Sequence, residues 1–292
     1  MKPAPFKYIA ASSLDHALSL KAEHGDEARF LAGGQSLIPT MNFRLARPDV
    51  LIDINGLNDL AGVHQPGGEP VRIGALSRYR DLERNSDFLA ACPLFAEALP
   101  HIAHPQIRNR GTIGGNLAHA DPASELPALA VAMQARMRLK SSAGERRVEA
   151  AAFFQGALVT DIQPDEMLVE IEFPRSEPAT GTCFMEMARR RGDFALAGVA
   201  AMVSLDQARR CTRVRLALCG VGETPVDASE TVAPLIGHIL TDEAVELVAA
   251  NVQEMIEPPG NVHATSDYQR HLAGVLTQRA LGIACKRAGY GS

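Results

Sequence analysis

A chain of 292 residues with 46% apolar and 22% charged side chains has the length for two units and an ordinary globular composition. Its formal charge of −5 gives no reason to expect nucleic acid or an anionic membrane as a partner, and no apolar run reaches the ~18 residues a spanning helix needs. Cys92, Cys183, Cys211, Cys219 and Cys285 form no CxxC pair, so neither a disulfide framework nor a self-contained zinc or iron–sulfur site is indicated. The opening MKPAPFKYIAASSLDHAL lacks the basic-then-apolar order of a signal peptide, and a cytoplasmic location is expected.

Ser13 opens the first predicted helix, with Leu14, Ala17 and Leu18 on one face and Gly25 as the stop. A buried strand over 29–32 runs into Gly33-Gly34, and further strands are predicted over 50–54 and 71–75. Ser77 is expected to cap a helix ending at Arg84, and 87–99 to form a second helical stretch. From Pro100 to Pro122 no period of 2 or 3.6 is sustained, and the segment is dense in Gly, Pro, Asn and His. It reads as a long functional loop. A helix over 123–133 follows, then strands near 137–140, 147–149 and 168–173. Residues 174–181 read as a linker before strands over 195–205 and 214–219 and amphipathic helices over 242–256 and 268–287. This order predicts an α+β fold with a boundary near 176 and a smaller strand-then-helix unit behind it.

Two segments share one form, Ala32-Gly33-Gly34-Gln35-Ser36-Leu37 and Thr112-Ile113-Gly114-Gly115-Asn116-Leu117. Paired glycines let main-chain amides approach an anion without Cβ interference, and Gln35, Ser36, Thr112 and Asn116 add side-chain donors. Two such loops suit the two phosphates of a dinucleotide. The pattern does not say which dinucleotide, and neither a GxxxxGK[ST] loop nor a strand-coupled GxGxxG is present.

FLAGGQSL, RPDVLIDI, IGALSRYRDLE, HPQIRNRGTIGGNLAHADPASELP, DEMLVEIEFP and ARRRGDFALAGVA together resemble the FAD-binding medium subunit of the carbon monoxide dehydrogenase and xanthine dehydrogenase family of molybdenum hydroxylases. The resemblance covers nearly the whole chain. It implies an FAD domain of the vanillyl-alcohol oxidase (PCMH) type over 1–176, in two subdomains split near 55–60. A smaller α+β C-terminal domain of the carbon monoxide dehydrogenase flavoprotein type would follow over 177–292. Carried over by position, Ala32, Gly33, Gly34, Gln35, Ser36 and Leu37, with Thr112, Gly114, Gly115 and Asn116, would bind the pyrophosphate and neighbouring ribityl oxygens. Ile102 would lie near the flavin, Glu125 at an adenosine ribose hydroxyl or nearby polar group, and Leu168 against the adenine end. Relatives place a lysine near the stretch 184–187, which here reads Phe-Met-Glu-Met, so that contact is lost or replaced.

The resemblance further implies non-covalent FAD, a small partner subunit with two [2Fe–2S] clusters, a large partner subunit carrying molybdopterin, and an external electron acceptor. It calls for no catalytic base in this chain. A self-sufficient FAD oxidase or dehydrogenase is the competing reading, but no substrate cap with a base is recognisable. A flavin-free scaffold is the third, and the intact AGGQS and TIGGN segments argue against it. No cysteine lies between Asn116 and Phe153, where the benzoyl-CoA-reducing branch carries a cluster-binding insertion.

Other polar residues carry structural readings beside functional ones. His101, His104, His119 and Asp121 match no metal-ligand spacing and read as braces of a flavin-side loop, with His104 a candidate flavin contact. Arg108 and Arg110 would either complement the pyrophosphate or pin the loop through carboxylates. Arg189-Arg190-Arg191 is either a solvated charge run or, as the resemblance implies, a cofactor-proximal or subunit contact, while Tyr79 reads as packing and Cys211 and Cys219 as small core residues.

Overall fold

The computed structural model describes residues 2–64 and 70–289, so Met1 and the last three residues of the expected C-terminal unit lie outside it. The first unit is a three-stranded parallel sheet with order β1-β3-β2, built from β1 (Lys7–Ala10), β2 (Ala28–Leu31) and β3 (Val50–Asp53). Helix α1 (Leu14–His24) connects β1 to β2, capped by Ser13 Oγ, which accepts from the His16 amide at 3.0 Å, and closed by Gly25 at φ +50°. Helix α2 (Leu37–Asn42) follows the first glycine pair.

The second unit begins with β4 (Val63–His64) and β5 (Val71–Gly74). Its helices are α3 (Tyr79–Arg84), α4 (Ser86–Ala91), α5 (Pro93–Ala98), α6 (Pro105–Arg108), α7 (Ile113–His119) and α8 (Glu125–Ala132). Strands β6 (Arg136–Lys140) and β7 (Glu145–Glu149), helix α9 (Ala150–Phe153), the hairpin β8 (Phe154–Gly156) with β9 (Val159–Thr160), and β10 (Met167–Phe173) complete it. The five-stranded antiparallel sheet has the order β4-β5-β10-β6-β7. A bulge between Leu168 and Glu170 lets β10 serve two cores. Met167 and Val169 pack into the first unit with Ile52 and Leu60, while Leu168, Ile171 and Phe173 enter the second. Without the extra residue, Leu168 would share a face with Glu170 and Glu172 instead.

Three expectations are corrected here. Ser77 does not cap α3: its hydroxyl accepts from the Gly62 amide at 2.9 Å and donates to the Gly62 carbonyl at 3.1 Å, and the helix starts at Tyr79. The stretch 87–99 is not one helix, because Cys92 precedes Pro93 and is driven out of the helical region, to φ −132° and ψ 70°. Residues 100–122 are not a bare loop, since they hold α6 and α7. Helices of one or two turns, one opening on Gly-Gly, leave too little sequence for a 3.6 period to register.

The C-terminal unit is an antiparallel sheet of β11 (Thr180–Met187), β12 (Ala197–Leu205), β13 (Cys211–Cys219) and β14 (Val226–Asp227), in that order. Helices α10 (Ser229–Val232), α11 (Asp242–Met255) and α12 (Ser266–Ala288) follow. Strand β11 was not expected, and it shortens the expected linker to 174–179. Both faces of the sheet are buried. Val199, Ala201 and Val203 face a core with Leu272, Leu276 and Leu281 of α12, while Ala200, Ala217 and Phe184 join the core of the second unit.

A polar clamp crosses that second interface. The Glu97 carboxylate on α5 accepts from Thr182 Oγ1 at 2.8 Å, from the Phe184 amide at 3.2 Å and from the Arg287 guanidinium. Glu97→Ala removes the acceptor of Thr182 Oγ1 and the Phe184 amide, leaves Arg287 only the Thr182 carbonyl, and is expected to cost about 2 kcal/mol of stability, with Glu97→Gln recovering part of it. Urea unfolding of the two variants beside wild type checks this, and equal midpoints for all three would refute it.

Candidate FAD site

A cleft of about 890 Å3 opens where the three units meet. It is lined by Ala32, Gly33, Gly34, Gln35, Ser36 and Leu37 from the first unit. The second unit contributes Ile102, Thr112, Gly114, Gly115, Asn116, Glu125 and Leu168, so the residues carried over by position for the cofactor all reach this one cleft, whereas His104, Arg108 and Arg110 do not. Arg189, the 192–196 segment, Asn261 and His263 of the C-terminal unit line its remaining side.

The two glycine loops touch each other. A Cβ on Gly33 would stand 2.4 Å from the Arg110 carbonyl oxygen and 3.0 Å from Gly111 Cα, and one on Gly115 would stand 3.8 Å from Ala32 Cβ. Two residues missed in the sequence hold this junction. The Asn55 side-chain amide donates to the Ala32 carbonyl at 2.8 Å and the Leu31 carbonyl at 3.1 Å, while the Arg78 guanidinium donates to Asn55 Oδ1 and to the Arg110 carbonyl. Both lie in or beside family-like runs, but long-range contacts between side chain and backbone leave no local signal.

The loops differ in what they offer. Gly34 takes φ +73°, and among the described residues no acceptor engages the main-chain amides of Gly33, Gly34, Gln35 or Ser36. With no protein acceptor, these cleft-lining donors are free to receive an anion in place of water. In the second loop the Gly114 amide donates to the Ala75 carbonyl at 2.9 Å, and the Gly115 amide to Thr112 Oγ1 at 3.1 Å. That loop presents its surface rather than its amides. Asn116 Oδ1 accepts from Ser124 Oγ at 2.9 Å, which ties the second loop to the start of α8.

The remaining candidates separate by position. Arg108 pins its own loop: it donates to the Ile102 and Ala103 carbonyls at 3.1 and 3.0 Å, and its Nε lies 2.8 Å from Glu83 Oε1 as an ion pair outside hydrogen-bond geometry. Neither Arg108 nor Arg110 lines the cleft, and Arg190 and Arg191 do not either. Arg189 does, paired with Asp193 at 3.3 Å and with His263 Nδ1 at 3.4 Å. His104 stands behind the wall, where Gly192 at φ +87° comes so close that a Cβ would sit 2.6 Å from the imidazole. Tyr79 is fully buried yet lines the cleft, and burial first, then Glu125, pushes its phenol up. Glu125 is itself buried, which pushes its carboxyl up to about 8, with Glu186 and Asp121 adding to the shift. The stretch 184–187 lies on β11, where the Glu186 side chain is 3% exposed and pairs with His101 Nδ1 at 3.1 Å. Among the described residues no group of three or more His, Cys, Asp or Glu is placed to hold a metal ion, and no helix is long and apolar enough to cross a membrane.

Residues 4–176 match the family described as FAD binding domain in molybdopterin dehydrogenase, and 182–284 match the CO dehydrogenase flavoprotein C-terminal domain. The chain is 38% identical to the 6-hydroxypseudooxynicotine dehydrogenase complex subunit alpha of Paenarthrobacter nicotinovorans, covering 99% of this chain and 97% of that one. It is 39% identical to the caffeine dehydrogenase subunit beta of a Pseudomonas species, over 98% and 97%. Among solved structures it matches a chain of carbon monoxide dehydrogenase from Hydrogenophaga pseudoflava with a TM-score of 0.95 and 38% identity, covering 98% and 99% of the two chains. The unpaired amides, the crowded glycines and the cleft volume all fit the dinucleotide that such a domain holds. The chain belongs to the FAD-binding medium subunits of the carbon monoxide and xanthine dehydrogenase type of molybdenum hydroxylase, and is an oxidoreductase component.

Proposed function

We propose that this chain holds FAD non-covalently in the cleft between its three units and acts as the electron-transferring component of a cytoplasmic multisubunit hydroxylase. Bound there, FAD supplies one- and two-electron chemistry linking the [2Fe–2S] clusters of a small partner subunit to an external acceptor, while substrate is oxidised at molybdopterin in a large partner subunit. The observation that carries this reading is the run of four unpaired amides, Gly33 to Ser36, on a cleft of about 890 Å3. Those amides would receive the pyrophosphate, with Thr112 and Asn116 beside them. Asn55 and Arg78 keep the two loops in register, so the donors are positioned before the anion arrives. Leu168 and Ile102 supply apolar wall, and Arg189 with Phe194 bounds the side formed by the C-terminal unit. Substrate choice rests with the large subunit in this arrangement.

The test is to purify the chain alone and with its co-expressed neighbours, record the visible spectrum, and release the cofactor with acid. A flavin spectrum in both preparations, with free FAD in the acid supernatant, is the expected outcome. Iron and molybdenum should appear only in the co-purified complex. A folded chain without flavin in either preparation would overturn the proposal, and flavin remaining on the precipitated polypeptide would overturn its non-covalent part.

A further inference from the structure

Behind the phosphate cradle lies a group of carboxyls, one of which, Glu125, lines the cleft. Glu125 opens α8 on the cleft wall and is 6% exposed. From β11 the Glu186 carboxylate acts on it, with one oxygen 3.1 Å from His101 Nδ1 and the other, Oε2, buried without a hydrogen-bond partner. Asp121 adds a third carboxyl from the turn before α8. Cys219 at the end of β13 and Tyr79 on α3 also feel Glu125, and desolvation keeps both neutral. Among the described residues no cation forms an ion pair with Glu125, and His101 is engaged with Glu186.

Two buried carboxyls, of which only Glu186 has an imidazole partner, are costly to ionise together, because the low-dielectric interior magnifies their repulsion. The proton belongs on the carboxyl that has no basic partner. We infer that Glu125 stays protonated at neutral pH, held so by its burial and by the Glu186 carboxylate, and meets FAD as a hydrogen-bond donor, so that cofactor affinity falls when this proton is lost. The inference rests on the reading that the cleft holds FAD. Burial and the neighbouring carboxylates bring the transition to about pH 8. Below it the Glu125 carboxyl is neutral and a diphosphate ligand meets no added negative charge. Above it the ionised carboxylate loses its donor and opposes the ligand, so binding is linked to proton uptake.

The experiment titrates the full chain, stripped of flavin, with FAD by fluorescence quenching at about pH 7 and about pH 9. Wild type is expected to bind roughly tenfold more weakly at the higher pH. Glu125→Gln keeps a donor and cannot ionise, so its affinity should become flat across this window, whatever its absolute value. Glu186→Gln should move the transition to lower pH. Calorimetry of wild type above the transition, in two buffers of different ionisation heat, should register proton uptake on FAD binding and needs no variant to fold. Equal wild-type affinity at both pH values, affinity that rises with pH, no proton uptake, or an undiminished fall in Glu125→Gln would each overturn the inference. FAD binding without pH dependence removes this inference alone, whereas no FAD binding at any pH removes the proposed function with it.

Discussion

Gly33→Val is expected to yield a folded chain that no longer retains FAD through purification. A Cβ there would stand 2.4 Å from the Arg110 carbonyl oxygen and 3.0 Å from Gly111 Cα, and both are main-chain atoms. The Arg110 carbonyl is itself held by Arg78, so the first loop has to move rather than its neighbour. Overpacking of this kind costs about 1–3 kcal/mol, which a protein of this size tolerates. The loss of binding is larger. Hydrogen bonds to charged groups contribute about 1.5–3 kcal/mol each, so misaligning two of the four free amides weakens FAD by roughly 100-fold or more. Ser36→Ala keeps every amide and removes one exposed hydroxyl, so its effect should stay below about tenfold. Fluorescence titration with a thermal melt on each variant decides the matter. Wild-type affinity in Gly33→Val would show that the loop does not carry the phosphate.

Gly181→Val is expected to be the most destabilising single substitution proposed for this chain, with little direct effect on the cleft. Strand β11 lies so close under α12 that a Cβ on Gly181 would fall 1.9 Å from the Ala284 carbonyl oxygen and 2.4 Å from the Ala288 amide nitrogen. Neither atom can rotate away, so the helix must lift. It would take Leu272, Leu276, Ala280 and Leu281 partly out of the C-terminal core. The expected cost is about 3–5 kcal/mol, a fall in Tm of roughly 10 °C for a chain of this length. Gly282 on the same helix is the control, since a Cβ there meets no heavy atom within 4 Å. Gly282→Ala should be neutral or should stabilise by up to about 1 kcal/mol through helix propensity. A Gly181→Val chain melting within a few degrees of wild type would refute the close strand–helix contact.

Both sites show where local sequence carries information. Gly33, Gly34, Gly114 and Gly115 were legible because paired glycines beside amide and hydroxyl side chains are a local pattern with a direct backbone consequence. Helix α1 was legible with both of its ends, since Ser13 and Gly25 act on their own neighbours. Strand β11 was missed because Thr180-Gly-Thr-Cys-Phe-Met-Glu-Met187 is covered by α12 on one side and by α5 on the other, so no alternation of polar and apolar residues survives. The same blindness hid Glu186, whose burial depends on β12 and His101, and the Asn55–Arg78 brace, whose partners are 23 residues apart.

The sequence by itself determined the α+β class, the family and thirteen of the residues that line the cleft, because these are written in short runs whose chemistry is local. Tertiary structure alone decided which of those residues remain free to bind. The first loop keeps four amides unpaired while the second spends its amides on Ala75 and Thr112, a distinction that two similar strings of letters do not contain. It alone also placed two carboxylates 61 positions apart in the chain, Glu125 and Glu186, in one buried cluster. The physical reason is the same in both cases. Hydrogen-bond satisfaction and desolvation depend on every atom within a few ångströms, and folding brings those atoms from distant parts of the chain.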